Sequence, residues 1–253
     1  MGSPKAKAKA KAYAGKILRV DLSSGATETF DTADSARRFL GGRGLATGLY
    51  WDEVPPEVGH DHEDNRLIIA MGPLSGMPGG LGGSRWGIYG KSPFPAAAHG
   101  GRDHFCYGNL GGSFGAELRF AGYDGIVVQG KAERPVTIDI HDDRVEIRDA
   151  RSLWGKGTVE AMAVMKERAP PKAKAMAIGP AGERLVPLAT VFADGDASCS
   201  GGMGAVMGSK GLKGITVRGS SRKVDVGDRE ALREIERTVR SYGRGNVKVW
   251  GLD

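Results

Sequence analysis

The chain is poor in cysteine: Cys106 and Cys199 are the only two among 253 residues, far apart and without a CxxC spacing. That scarcity excludes a disulfide framework. It also excludes a 4Fe-4S cluster held by this chain alone, because such clusters take four thiolates. No apolar run approaches the length of a membrane span, and no N-terminal segment has the parts of a signal peptide or a twin-arginine pair. No membrane is therefore expected, and the cytoplasm is the expected compartment. Net positive charge is small once the first dozen residues are set aside. Lys5, Lys7, Lys9 and Lys11 supply four of the six net charges, so the basic balance belongs to a tail and no nucleic acid partner is expected. Residues 1–12 alternate lysine with alanine around no apolar core and read as a solvated, disordered arm.

What the chain has in excess is glycine, and 17 of its 41 glycines fall between Gly72 and Gly130. Glycine costs more backbone entropy on ordering than any other residue, so a folded chain concentrates it where φ is positive or a ligand meets the main chain. The stretch reads as a cradle whose few polar side chains are Arg85, Lys91, Arg102, His104, Asn109 and Glu117. Free N–H groups in such a loop form nests for phosphate-like anions, and arginine adds a bidentate fork. Arg85 to Ser92 comes within one residue of a P-loop, but Pro93 and Pro95 follow where that motif needs a helix, which rules it out. Ala70-Met71-Gly72-Pro73 recurs as Ala177-Ile178-Gly179-Pro180, and Gly90-Lys91-Ser92 has an echo in Gly208-Ser209-Lys210. Glycine-rich strings also match by chance, so duplication and coincidence both stay open.

In chain order, Tyr13–Leu22 and Ala26–Phe30 predict a hairpin turning at Ser23-Ser24-Gly25. Asp34 or Ser35 caps a short helix that ends at Gly41-Gly42, and Gly41 to Gly44 is either that helix's C-cap or a second ligand loop. His60 and His62 lie in a charged loop and read as solvated side chains rather than metal ligands. Arg66–Met71, Phe114–Phe120 (apolar at every second residue), Ile126–Val128, Val136–His141, Val145–Ile147, Ala173–Ile178, Leu185–Phe192 and Lys213–Arg218 read as strands. Thr158–Arg168 is an amphipathic helix closed by Pro170-Pro171, with Met162 and Met165 as core filler. Asp228 caps a last helix reaching about Tyr242. Strands outnumber helices and several pair as hairpins, so the class is α+β.

Phe114 to Gly125, Ile178 to Glu183 and Gly204 to Lys210 resemble the N-terminal domain of the aldehyde ferredoxin oxidoreductases. Gly42-Arg43-Gly44-Leu45-Ala46 and Trp51-Asp52-Glu53-Val54-Pro55-Pro56 carry the same resemblance, which runs from about Ala14 to Val226 in the family's order. It implies a large mixed or antiparallel sheet in two similar repeats with a few peripheral helices, over residues 13–226. Residues 227–253 would be a helix and the start of a linker to a further domain. It implies tungstopterin or molybdopterin, two per metal, with magnesium between them, and oxidation of a small aldehyde to a carboxylate. Electrons would pass to ferredoxin through a 4Fe-4S cluster ligated by residues outside this chain, in further C-terminal domains or a companion subunit. A homodimer is compatible with it, and no catalytic residue or metal ligand is assigned here.

Carried over residue by residue, the resemblance makes Arg85 the arginine of the family's Gly-Gly-Arg loop. Asn109 and Gly111 become contacts to pterin and magnesium. Ala197, Ser198, Cys199 and Ser200 replace a second pterin loop in which the family has a pair of arginines. An insertion between Pro93 and Asn109 brings Arg102, expected to compensate for that lost charge. It also brings His104 and Cys106, which suit a soft metal or only pack. The competing reading is a stand-alone, non-catalytic module for pterin or another phosphorylated ligand.

Overall fold

The computed structural model describes residues 11–77, 83–94, 100–194 and 197–246. All but the end of the lysine–alanine arm lies outside the described residues. The first half runs β1 (Lys16–Asp21), β2 (Thr27–Asp31), α1 (Ala33–Phe39), α2 (Gly42–Glu53), β3 (Leu67–Met71), β4 (Trp86–Ser92), β5 (His104–Leu110), α3 (Phe114–Phe120) and β6 (Gly125–Gln129). The second runs β7 (Val136–His141), β8 (Arg144–Asp149), α4 (Thr158–Arg168), β9 (Lys174–Ile178), α5 (Pro180–Glu183), β10 (Val191–Ala193), β11 (Ala197–Cys199), α6 (Met203–Ser209) and β12 (Leu212–Arg218). A final helix, α7 (Arg229–Asn246), follows. Asp228 caps it as expected, its carboxylate accepting from the amides of Glu230 and Ala231.

The strands form two six-stranded sheets, β2-β1-β6-β3-β4-β5 and β8-β7-β12-β9-β10-β11. Each strand of the first has a counterpart in the second with the same neighbours, and the one parallel pair recurs as well, β1 with β6 and β7 with β12. The fold is therefore two similar repeats, and Ala70-Met71-Gly72-Pro73 and Ala177-Ile178-Gly179-Pro180 fall at equivalent places, the ends of β3 and β9. The second proposed echo does not hold. Gly90-Lys91-Ser92 lies in β4, whereas Gly208-Ser209-Lys210 closes α6. The true second echo is Gly115-Ala116 in α3 against Gly204-Ala205 in α6. A Cβ on Gly115 would lie 2.7 Å from Trp86 Cβ, and one on Gly204 2.7 Å from Thr190 O. In both halves a helix is thus pressed onto the start of the fourth strand of its own repeat.

Two helices lie between the sheets. α3 packs on β12 and β9 of the other half, and α6 on β4 as well as β12. Burial on nearly all sides explains why residues 114–120, expected as a strand, are helical. The buried set Phe114, Gly115, Glu117, Leu118 and Arg119 has helical spacing that the Phe-Ala-Leu-Phe alternation hides. Leu185–Phe192 is likewise not one strand. Pro187 removes a ladder donor, Leu188 is 65% exposed, and only Val191–Ala193 pairs. On the outer faces, Leu45 and Ala46 of α2 cover Ile17, Ile68, Ala70, Tyr89 and Val127, and α4 covers Ala175 and Ala177. Gly44 and Gly48 let α2 lie against Phe39 of α1, since a Cβ on either would come within 2.6 Å of it. Gly41 to Gly44 therefore belongs to the start of a helix. Those glycines are also why α2 was not legible in the sequence.

Candidate functional site

The edge strands of the two sheets, β5 and β11, meet at a seam. A Cβ on Gly108 would fall 2.0 Å from Cys199 Sγ, and one on Gly201 2.9 Å from Cys106 Sγ. Both thiols therefore fill space left by a facing glycine. Burial pushes the Cys199 thiol up to about 12 and raises that of Cys106. Among the described residues no group of three or more His, Cys, Asp or Glu could hold a metal ion. His104, on the same strand face as Cys106, borders an apolar cavity with Tyr50, Trp51, Val54 and Pro56.

Just beyond the seam the two expected ligand loops come together. Trp86 stacks on Phe114, ring centroids 4.8 Å apart, and donates its indole N–H to Gly111 O at 2.7 Å. That bond fixes the main chain of the first loop. Arg85, the preceding residue, is exposed, and its Nη1 lies 3.8 Å from the Cβ that any other residue would carry at 111. The next glycine presses on the second loop, for a Cβ on Gly112 would meet Asp194 O at 2.3 Å and Ala197 Cβ at 3.8 Å. Asp194 is held in turn by Lys166 Nζ and by the Ala175 amide, each at 2.7 Å. Arg85, Gly111 and Ala197 are thus neighbours although more than a hundred residues separate the first from the last.

Strand register pairs the two loops further. Ala70, Gly87 and Asn109 lie side by side across β3, β4 and β5, and Ala177, Phe192 and Ser198 do so across β9, β10 and β11. Asn109 and Ser198 therefore hold equivalent positions, both exposed on the outer faces of their sheets. Ser200 is also exposed, while Ala197 and Cys199 point inward and are buried. Arg102 stands apart from Asn109, at the end of β5 that Gly201 and Gly202 approach. It lies beyond the His104 end of β5, at least ~15 Å along the strand from Asn109, where the neighbouring Asp103 accepts from His60 N and lies 2.8 Å from His60 Nδ1.

Other polar groups of the cradle serve the fold. Lys91, 4% exposed, donates Nζ to Pro56 O and Val58 O at 2.8 Å each, and Glu117 pairs with Arg218 and Arg222. One exposed cation was not assigned to the cradle: Arg43 of α2, over the ring of Tyr107. Its signal is the arginine inside Gly41-Gly42-Arg43-Gly44, a stretch that the sequence offers as either a helix C-cap or a second ligand loop. The surface fits a phosphate-bearing pterin in kind. Among the described residues no carboxylate pairs with Arg85 or Arg43, and the surrounding positions are glycine, serine and asparagine.

Residues 17–219 match the family described as aldehyde ferredoxin oxidoreductase, N-terminal domain. The tungsten-containing aldehyde ferredoxin oxidoreductase of Pyrococcus furiosus is 46% identical over 220 residues, 85% of this chain and 35% of that protein. An aliphatic sulfonate oxidoreductase, WOR-like subunit, of the same organism is 36% identical over 260 residues, 95% of this chain and 40% of that protein. Among solved structures, the active-site complex BamBC of benzoyl coenzyme A reductase with 1,5-dienoyl-CoA aligns with a TM-score of 0.77 and 39% identity, over 85% of this chain and 32% of that one. The chain thus spans between 32% and 40% of the proteins it matches. By the extent of that match and the repeated architecture beneath it, the chain belongs to the aldehyde ferredoxin oxidoreductase family and carries its N-terminal domain.

Proposed function

We propose that residues 13–226 form the pterin-binding base of a tungsten or molybdenum oxidoreductase that converts a small aldehyde to its carboxylate. Two electrons leave through a 4Fe-4S cluster held by other parts of the enzyme and reach ferredoxin. The observation that carries this reading is the meeting of the two loops. Arg85, Asn109 and Gly111 come from one repeat and Ala197 to Ser200 from the other, in a family whose relatives contain tungsten. When bound, the metal centre supplies the two-electron chemistry. This chain's part is to hold and orient the cofactor. Arg85 offers two parallel N–H donors to an anionic oxygen, Asn109 a donor and an acceptor, and Gly111 a main chain with no side chain in the way. In the second loop Ser198 and Ser200 offer hydroxyls where the family has arginines, and Arg102 stands beyond the His104 end of β5, the end that Gly201 and Gly202 approach. Cofactor binding in the second half would then rest on main-chain N–H groups, these hydroxyls, magnesium and Arg102.

Relatives of comparable identity act on an aldehyde, an aliphatic sulfonate or a coenzyme A thioester by their descriptions. A base shared by such different reactions supports a choice of substrate made elsewhere in the enzyme. The reading is tested by producing the chain in a host that makes the cofactor and measuring bound pterin, as its fluorescent oxidised form, per chain. Arg85→Ala should lower occupancy at limiting cofactor at least tenfold, because a charge-assisted contact contributes about 1.5–3 kcal/mol. The unfolding midpoint should not move, since Arg85 is exposed. Unchanged pterin in the folded variant would reject the assignment.

A further inference from the structure

A second cation stands on the outer face of the first repeat, and nothing in the fold common to the two repeats requires it. Arg43, in the first turn of α2, holds its guanidinium carbon 3.6 Å from the centroid of the Tyr107 ring. Tyr107 precedes Asn109 by two residues on β5, so the alternation of the strand puts both side chains on one face, about 7 Å apart at their Cα atoms. Tyr107 pairs with Tyr89 across the ladder as Asn109 pairs with Gly87. The two tyrosine rings stack 6.2 Å apart, which steadies the platform under the arginine.

Among the described residues the charge has no counterion: no carboxylate pairs with Arg43, and the first turn of α2 contains no acidic residue. The corresponding helix of the second repeat, α4, has Val159 as its second residue where α2 has Arg43. The repeat therefore folds without an arginine there. A flexible cation fixed over an aromatic ring, unneutralised and beside an exposed asparagine, is the arrangement that receives an anionic oxygen.

We propose that Arg43, presented by Tyr107, is a further contact for a phosphate group of the cofactor whose other first-repeat contacts are Arg85, Asn109 and Gly111. Tyr107 is the positioning residue. The inference rests on the cofactor reading above, and its test separates the two.

The chain and its variants are produced in a cofactor-making host, and pterin per chain is measured at limiting cofactor together with the thermal midpoint of the cofactor-free form. Arg43→Gln should hold about tenfold less pterin than the unaltered chain, with its midpoint unchanged. Tyr107→Phe, which keeps the ring face, should match the unaltered chain. Tyr107→Leu, which removes it, should fall about two- to fivefold. Full pterin in Arg43→Gln, while Arg85→Ala loses it, overturns this inference and leaves the cofactor reading standing. No pterin on the unaltered chain overturns both. Full pterin in Tyr107→Leu beside a loss in Arg43→Gln overturns the role given to the ring.

Discussion

Replacing Glu117 should unfasten the two repeats from each other. This glutamate is on α3 of the first repeat and is 2% exposed. Its carboxylate accepts from Arg218 Nη1 at 2.5 Å, from the Gly219 amide at 3.0 Å, and from Arg222 Nη1 at 2.8 Å. Arg218 ends β12 of the second repeat, so this one group joins α3 to the strand it packs on. The Arg222 side chain is half exposed, and its share is at most about 1 kcal/mol. The weight falls on Arg218 and on the buried Gly219 amide, whose partner disappears in Glu117→Ala. Breaking a buried pair while leaving the other charge in place costs about 3–5 kcal/mol. At about 2–4 °C per kcal/mol for a domain of this size, the thermal midpoint should drop by roughly 6–20 °C. Urea unfolding followed by tryptophan fluorescence reads the same loss, with Trp86 reporting directly because it stacks on Phe114 of α3. Glu117→Gln, which keeps one acceptor, should lose less. A cost below about 1 kcal/mol for the alanine variant, or an equal cost for Arg222→Ala, would refute the reasoning.

Two other outcomes follow from groups packed without slack. Gly108→Ala places a methyl 2.0 Å from Cys199 Sγ and should cost about 1–3 kcal/mol by overpacking. Adding Cys199→Ala should return part of that loss in a double-mutant cycle of denaturant midpoints, and strict additivity would show that the seam is not where the strain falls. Lys210, 1% exposed, donates Nζ to Gly130 O and Glu63 O, and burial lowers its pKa to about 7. Between that value and its ordinary 10.5 the unfolded chain binds the proton and the folded chain does not. The group's contribution to stability is therefore complete above about pH 10.5 and is lost as pH falls toward 7. The stability of the unaltered chain relative to Lys210→Met should rise by up to about 1.4 kcal/mol per pH unit between pH 7 and 9. A pH-independent difference in urea midpoints over that window would contradict it.

The limits of the sequence are visible in particular elements. β3 was legible because a fully buried strand between two others is a continuous apolar run, Leu67 to Met71. The β7–β8 hairpin was legible because one face alternates. α2 and α3 were not. α2 has three glycines, which lower helix propensity, and two of them, Gly44 and Gly48, are demanded by the approach of Phe39. α3 is enclosed by both sheets, so no polar face marks its period. β5 was hidden in the same way, its Gly108 and Asn109 reading as loop residues although one makes room for Cys199 and the other faces out beside Tyr107. Of the site, Arg85, Asn109, Gly111 and Ala197 to Ser200 were named from the resemblance. That Arg102 lies at the far end of β5 could not be read, because strand length converts a gap of a few residues into a distance.

The duplication makes the site's asymmetry informative. Asn109 and Ser198 hold equivalent positions, as do Gly87 and Phe192, and the second residues of α2 and α4, Arg43 and Val159. At each pair the first repeat has the more polar or the smaller residue, and at each the second has a hydroxyl or an exposed apolar side chain. The backbone that two similar ligand groups would need is kept on both sides, while cations are concentrated on one. A phosphate pair joined by magnesium needs fewer protein charges on one side than two separate phosphates would, because the ion itself is the largest local charge. On the reading proposed above, magnesium between the two pterins would supply the charge that the second repeat lacks. A pterin count that falls from two to one per chain when magnesium is chelated, with the first-repeat contacts intact, is the outcome this asymmetry requires. A count that stays at two would refute the bridging ion.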